Sequence, residues 1–320
     1  HTWGLEYPLG PAEEAALAQK AEYAYRARAL AHDVVSKSVN RLADRAQLQD
    51  TGYHIVVFNA LSWACSDLVR VPARPAVPRG RPLCWRTLQP GVDGPVQWIR
   101  STAEGRDLVN VPVDLLDRPF QLVDLDTGRS VPYQVLTLRD PLAPYPEAAA
   151  RYGLAGGRRA WCTTDRARSP DGVLLGGDPG YLKQLVFVAE QVPPLGYRCY
   201  RLVPTAEWPG FCSSLSVGPD WVESRFYRVR LDGETGAIVS LYDKLLDREW
   251  VDTAAACQLN QILVREPETG ETTPGRCLGV SAGEPGPVLA SLQVRTSAPA
   301  CPQCCQEITL YDGLSRLDLH

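Results

Sequence analysis

The sequence predicts a mainly β protein, with one long N-terminal helix followed by β-sandwich domains. Three observations carry this. An apolar helical period runs through residues 11 to about 48 with no Gly or Pro after Pro11. From residue 53 onward, short apolar or alternating runs recur between Pro, Gly and Asp-Gly punctuation. No later segment keeps a long helical period.

The helix is justified by its ends and its pattern. Pro11 suits a first-turn position, and Glu13 and Glu14 complement the partial positive charge there. Leu17, Ala21, Ala24, Leu30, Val34, Val35, Val39, Leu42 and Ala46 stay close to the helical repeat. A helix this long with an Ala-rich face packs against other helices, yet the rest of the chain offers none. "DTGYH" closes the segment, and "YHIVVFNALSW", "DLVRVPA", "PFQLVDLDTGRSVPYQVLTL" and "YLKQLVFVAEQVPPLGYRCYRLVP" read as strands. Residues 141 to 180 read as a Pro/Gly-rich loop excursion, and "TAEWPGFCSS" at 205 to 214 as a linker.

Beyond the linker, "ESRFYRVRL" alternates, with Tyr227, Val229 and Leu231 on one side and Arg228 and Arg230 on the other. The turn "DGETG" and the run "AIVSLYD" complete a β-hairpin. These divisions give domains at 1–50, 51–210 and 211–320.

Composition narrows the function classes. The chain has 320 residues, 45% of them apolar and 22% charged, with a formal net charge of −4. There is no basic stripe for nucleic acid, no run near the roughly 20 apolar residues a membrane span needs, and no leader-like opening. Methionine is absent, residue 1 is histidine and the last residues stop inside an alternating run. The expectation is a piece of a longer chain, truncated at both ends. The basic residues are 29 Arg and 4 Lys, which suits a GC-rich bacterial genome. The ten cysteines are scattered, and only "CPQCC" at 301 to 305 has metal-like spacing, without a second Cys/His pair to complete a site. They read as reduced thiols of a cytoplasmic protein.

Several phrases, taken in order, resemble the C-terminal portion of bacterial glycoside hydrolase family 38 α-mannosidases. They are "HIVVFNALSWACSDLVRVPA", "VPYQV", "LVFVAEQVPPLGYRCYRL", "WVESRFYRVRLDGETGAIVSLYDKLLDREWVD", "LNQ", "GPVLASLQV" and "ITLYDGLSRLDLH". The similarity extends over residues 1 to 320. Two departures are Ser224 after Glu223, where the family often has Asn, and Ala60 in place of Pro. The resemblance implies the end of a helical middle domain followed by β-sandwiches, the last of them galactose-mutarotase-like. It also implies a zinc-dependent retaining exo-α-mannosidase as the full-length protein, acting on a mannose-containing oligosaccharide or glycan, and a possible homo-oligomer.

Retaining hydrolysis needs two carboxyl groups about 5 Å apart. The resemblance puts the nucleophilic Asp in an N-terminal domain outside these residues, so no catalytic residue is assigned and the isolated chain is expected to be inactive. "HTWG" resembles the family phrase at the last zinc ligand, which makes His1 a candidate metal ligand; the alternative is a loop histidine. Asn260 and Gln261 are candidate substrate-binding residues on resemblance, or else an ordinary turn or strand-edge amide pair. His32, His54 and His320 read as structural or exposed. The rival function is a stand-alone carbohydrate-binding or scaffold β-sandwich. An aldose-epimerase-like activity finds no His/Glu acid–base pair.

Overall fold

The computed structural model describes residues 10–43, 45, 46, 48, 51–73, 96–102, 105–108, 113–137, 183–283, 285–299 and 301–320. His1 and the expected loop excursion at 141–180 lie outside them. A single α-helix, α1 (Pro11–Ala43), opens the described chain. Gly10 C=O accepts the Glu14 amide at 3.0 Å, so the helix begins at Pro11, whose missing N–H has no intrahelical partner to lose. It stops at Ala43 rather than near residue 48. There the amides of Arg45 and Ala46 bond three residues back, to Leu42 and Ala43, a tightening that ends the α ladder. The turn brings Ala46 and Leu48 down beside Ala43, Val56 and Cys199.

Nineteen strands follow among the described residues. The first set is β1 (Gly52–Phe58), β2 (Cys65–Ala73), β3 (Val96–Thr102), β4 (Gly105–Leu108), β5 (Phe120–Asp124), β6 (Tyr133–Thr137), β7 (Lys183–Val192) and β8 (Tyr197–Pro204), with one 3-10 turn at Val113–Asp117. The second set begins with β9 (Ser216–Val217), β10 (Trp221–Glu223), β11 (Tyr227–Leu231), β12 (Ile238–Asp243), β13 (Arg248–Glu249), β14 (Leu263–Arg265) and β15 (Thr272–Pro274). It ends with β16 (Arg276–Ala282), β17 (Leu289–Ala298), β18 (Cys301–Tyr311) and β19 (Leu317–Leu319). The ladders between them are antiparallel.

The first set makes a sandwich of the sheets β4-β3-β1-β8-β5 and β2-β7-β6. Alternation decides what each side chain meets. Ile55 and Val57 of β1 join Leu185 and Phe187 of β7, Phe120 and Leu122 of β5, and Tyr200 and Leu202 of β8 in the core. Val56, pointing the other way, meets the residues at the end of α1. Phe187 and Tyr200 meet edge-on at 4.8 Å between the sheets. At the end of the core, Arg198 Nη1 donates to Asp124 Oδ2 at 2.7 Å, and the other Asp124 oxygen accepts the amides of Asp126 and Thr127. The nearly buried carboxylate is thus paired on both sides, which its burial demands.

The second set packs β13-β12-β11-β10-β9 on β16-β17-β18-β19. Val222, Val229, Leu231 and Ile238 from one sheet close on Ala290, Leu292, Val294, Ile308 and Leu310 from the other. A further apolar cluster joins the two sandwiches: Val186 with Leu68, Leu136 and Val188 on the first, and Val288, Leu289, Tyr311 and Leu314 on the second. Polar contacts stitch the same seam. The Leu289 amide donates to Gln134 Oε1 at 3.2 Å, and Arg316 reaches Asp67 at 2.7 Å. The linker is pinned as well, with Ser214 N and Oγ both donating to Asp312 Oδ1 and Arg225 pairing with its other oxygen.

The apolar and polar contacts across the seam are expected to couple the unfolding of the two sandwiches. Tyr311→Ala removes the seam's largest fully buried side chain and is expected to cost about 3–5 kcal/mol. Urea unfolding of the parent followed by circular dichroism and tryptophan fluorescence should give one shared transition, and the variant two. A variant that lost stability but still unfolded in one step would show that coupling lies elsewhere.

Candidate functional site

Of the residues singled out from the sequence, Asn260 and Gln261 fall in the described structure. Ile238 N bonds to Leu259 O at 2.9 Å, which ties their turn to the start of β12. Asn260 sits at φ 60, a left-handed conformation that Asn tolerates better than most residues. Its Oδ1 accepts Gln306 Nε2 of β18 at 3.4 Å, while its Nδ2 is buried and finds no hydrogen-bond acceptor. Gln261 Oε1 accepts the Gln258 amide at 2.9 Å, and the Gln261 amide returns to Gln258 O at 3.3 Å. The pair therefore builds and anchors a turn. The groups left to reach a ligand are the Nε2 donors of Gln261 and, after a side-chain rotation, the carboxamide of Asn260.

The charged segment at 243–250 is also committed to its own hairpin. Asp243 Oδ1 accepts the amides of Leu245 and Leu246, so its buried carboxylate shapes the turn. Asp247, at φ 51, bonds to Tyr242 Oη. Glu249 Oε1 accepts the amides of Leu241 and Val251, and Oε2 accepts Ser240 Oγ at 2.6 Å. Burial pushes the Glu249 carboxyl up, but these donors outweigh it and hold the group below its ordinary value. Arg248 lies over the Trp250 ring at 4.3 Å. The charges of this segment are largely a set of backbone caps.

Metal chemistry has no described ligand set here. Among the described residues no group of three or more His, Cys, Asp or Glu is placed to hold an ion, so no step is derived through the zinc that the resemblance implies. "CPQCC" opens strand β18, where successive side chains turn to opposite faces. Cys304 lies opposite Thr296 and Cys305 opposite Arg295, so the two neighbours cannot converge on one ion. Cys65, Cys212, Cys257, Cys277 and Cys305 are free thiols. His54 is fully buried in β1. No described helix is long and apolar enough to cross a membrane.

One surface that sequence reasoning missed is a recess of about 330 Å³ beside the seam, lined by Tyr133, Gln134, Trp208, Phe211, Pro285 and Pro287 among others. Trp208 and Phe211 come from the linker, and only the folded chain brings them to Tyr133. Tyr133 is locked by its own bond to Phe120 O at 2.5 Å and by stacking on the Phe120 ring at 4.3 Å. The recess is mainly apolar, with the Gln134 carboxamide already engaged by Leu289.

The turn between β11 and β12 gives a measurable titration. Thr235 Oγ1 and N both donate to Asp232 Oδ2, at 2.6 and 2.8 Å. These bonds hold the Asp232 carboxyl below its ordinary value, against a smaller upward push from burial. A lowered folded pKa contributes stability above the unfolded value of about 3.9 and loses it as pH falls through the folded one. Asp232→Ala should cost about 1 kcal/mol at neutral pH. The gap between parent and variant in urea unfolding should narrow as pH falls below about 3.9 and through the lowered folded value. A gap independent of pH would mean that the hydroxyl, not the charge, is what matters.

No protein-family model and no curated protein matches the chain. Among the solved structures that resemble it are two from one organism. One is a protein in the glycosyl hydrolase family 38 from Enterococcus faecalis, at 12% identity and TM-score 0.41, the match covering 83% of this chain and 30% of that one. The other is an α-mannosidase from the same organism, at 13% identity and TM-score 0.42, covering 83% and 29%. This chain spans less than a third of either. Likeness at this level carries no argument about activity.

Proposed function

We propose that this chain is the non-catalytic C-terminal part of a zinc-dependent retaining exo-α-mannosidase of glycoside hydrolase family 38. The observation that carries the reading is the ordered series of family-like phrases, many of which fall on strands. "HIVVF" lies on β1, "YQV" on β6, "LVFVAEQVPPLGYRCYRL" on β7, its turn and β8, "LASLQV" on β17, and "ITLY" on β18. The exposed helix α1 is read as the end of a helical middle domain, and the second sandwich as the beginning of a galactose-mutarotase-like one. In this reading the full-length enzyme removes terminal α-linked mannose from a glycan. His1 supplies one zinc ligand, and Asn260 and Gln261 line the sugar from the β side. A bacterial, cytoplasmic protein and a homo-oligomer belong to the same proposal.

The reaction needs a nucleophilic carboxylate and an acid/base carboxyl about 5 Å apart. Among the described residues the carboxylates of Asp124, Asp232, Asp243, Glu249 and Asp312 are each held by turn amides, hydroxyls or an arginine. They serve the fold, and the isolated chain is expected not to hydrolyse p-nitrophenyl α-D-mannopyranoside. The deciding experiment reads the coding frame upstream of His1. Several hundred residues with an Asp/His cluster, and a zinc-dependent mannosidase on expressing the extended protein, support the proposal. His1→Ala in that protein should lower zinc occupancy measured by atomic absorption, independently of any rate. A stop codon just upstream of His1 would sink the enzyme reading. The aromatic recess at Trp208 would then favour the second reading, a carbohydrate-binding module, testable on a glycan array.

A further inference from the structure

The recess beside the seam leaves a large aromatic surface in water. Trp208 is 51% exposed, although one edge meets Phe120 at 6.0 Å, and Phe211 leans on the locked Tyr133 ring at 5.4 Å. Pro209, Pro285 and Pro287 complete the wall. The recess runs along Tyr133, Gln134 and Val135 of β6. Among the described residues β6 is an edge strand, paired with β7 alone. An apolar surface beside an unpaired strand edge invites another stretch of chain, and proteins blunt such edges.

A fitting stretch starts close by. Residues 138–182 join β6 to β7 and lie outside the described residues. Where they leave and re-enter the fold is fixed, because Thr137 and Lys183 are register partners. Soon after Thr137 comes Asp140-Pro141, a turn-initiating pair, followed by Leu142, Ala143, Pro144, Tyr145 and Pro146. A reversal centred on Asp140 and Pro141 counts Pro144 back to Thr137, and Pro146 back to Val135 at the rim of the recess. Proline has no N–H, so it can lie against a strand edge without extending the sheet. Its fixed φ also lowers the entropy lost on docking against aromatic rings.

We propose that the recess docks this chain's own proline-rich stretch, Pro144-Tyr145-Pro146, against Trp208 and Phe211. The occupant is tethered a few residues from the site, so its effective concentration is on the order of millimolar and a weak contact suffices. A second copy of the chain would bring the same stretch without that advantage. The proposal involves neither a sugar nor hydrolysis, so it stands or falls apart from the mannosidase reading. A glycan stacked on Trp208 requires the opposite result, an empty recess.

Hydroxyl-radical footprinting of the full 320-residue chain, read at Trp208 by peptide mass spectrometry, tests this. The comparison is the triple variant Pro144→Gly, Tyr145→Ser, Pro146→Gly, with circular dichroism as the folding control. Trp208 of the parent should be oxidised at least about threefold more slowly than in the variant, as an occupancy of about two-thirds requires. Trp63, 60% exposed on the first sandwich, is the internal reference and should not change. The synthetic peptide DPLAPYPEA, added to the variant at about 1 mM, should restore the protection of Trp208. Equal oxidation in parent and variant overturns the proposal, and so does a peptide that restores nothing. Protection that persists in the variant overturns it too. If that protection rises with protein concentration, the occupant is a second copy; if not, it is another part of the chain.

Discussion

The sheet β2-β7-β6 is buried on both faces, and the rest of the molecule is arranged around that fact. Leu185, Phe187 and Ala189 of β7 enter the core of the first sandwich, while Val186 and Val188 face the second. A strand apolar on both sides cannot be left at a surface, because one row of side chains would stay in water. The second sandwich is therefore a structural requirement of the first. Tyr311, Val288 and Leu289 cover what β7 would otherwise expose. On the far side β1 is treated the same way, with the end of α1 covering Val56. The result is a stack in which helix end, four sheets and four apolar interfaces depend on one another.

This arrangement explains where sequence reasoning succeeded and where it ran out. The unbroken run "LVFVA" in β7 announces a strand buried on both sides. Nothing local says that its second cover is Tyr311, more than a hundred residues later. Val229 and Leu231 against Arg228 and Arg230 gave the correct faces of β11, because period-two alternation is a local property. The end of α1 was misjudged because the helical pattern continues through Ala46. The chain turns there for the sake of the sheet, and tertiary packing outweighs propensity. At Asn260 the residue type hints at a left-handed turn, but its anchor, Gln306, comes from another strand. Asp243 and Glu249 were legible as charges and illegible as caps, since the amides they bind carry no sequence signature.

A consequence for function is that polarity is a poor guide to activity in this molecule. Several of its conspicuous carboxylates bind backbone amides at tight turns, which is how a protein made of many short strands closes each connection without leaving donors unsatisfied. Asp124 shows the most buried version, satisfying two amides and Arg198 at the mouth of a core. Chemistry supplied to such a framework has to come from elements that the framework holds rather than from its own turns. That division is the one the proposed function draws between a sandwich-bearing portion and a catalytic domain.

Among the described residues the 33-residue helix α1 is fastened at one end only, through Val39, Ala43 and the turn at Ala46 and Leu48. Mechanically it is a cantilever about 50 Å long on a stiff base. A rotation of roughly 5° at its foot, a displacement small enough for a few methyl groups to absorb, carries the free end through about 4 Å over such a span. Whatever sits on the far end is thereby geared to the packing of a handful of small side chains on the outer face of β1. Exchanging Ala43 or Ala46 for a bulkier residue would re-aim the whole arm while leaving both sandwiches as they are.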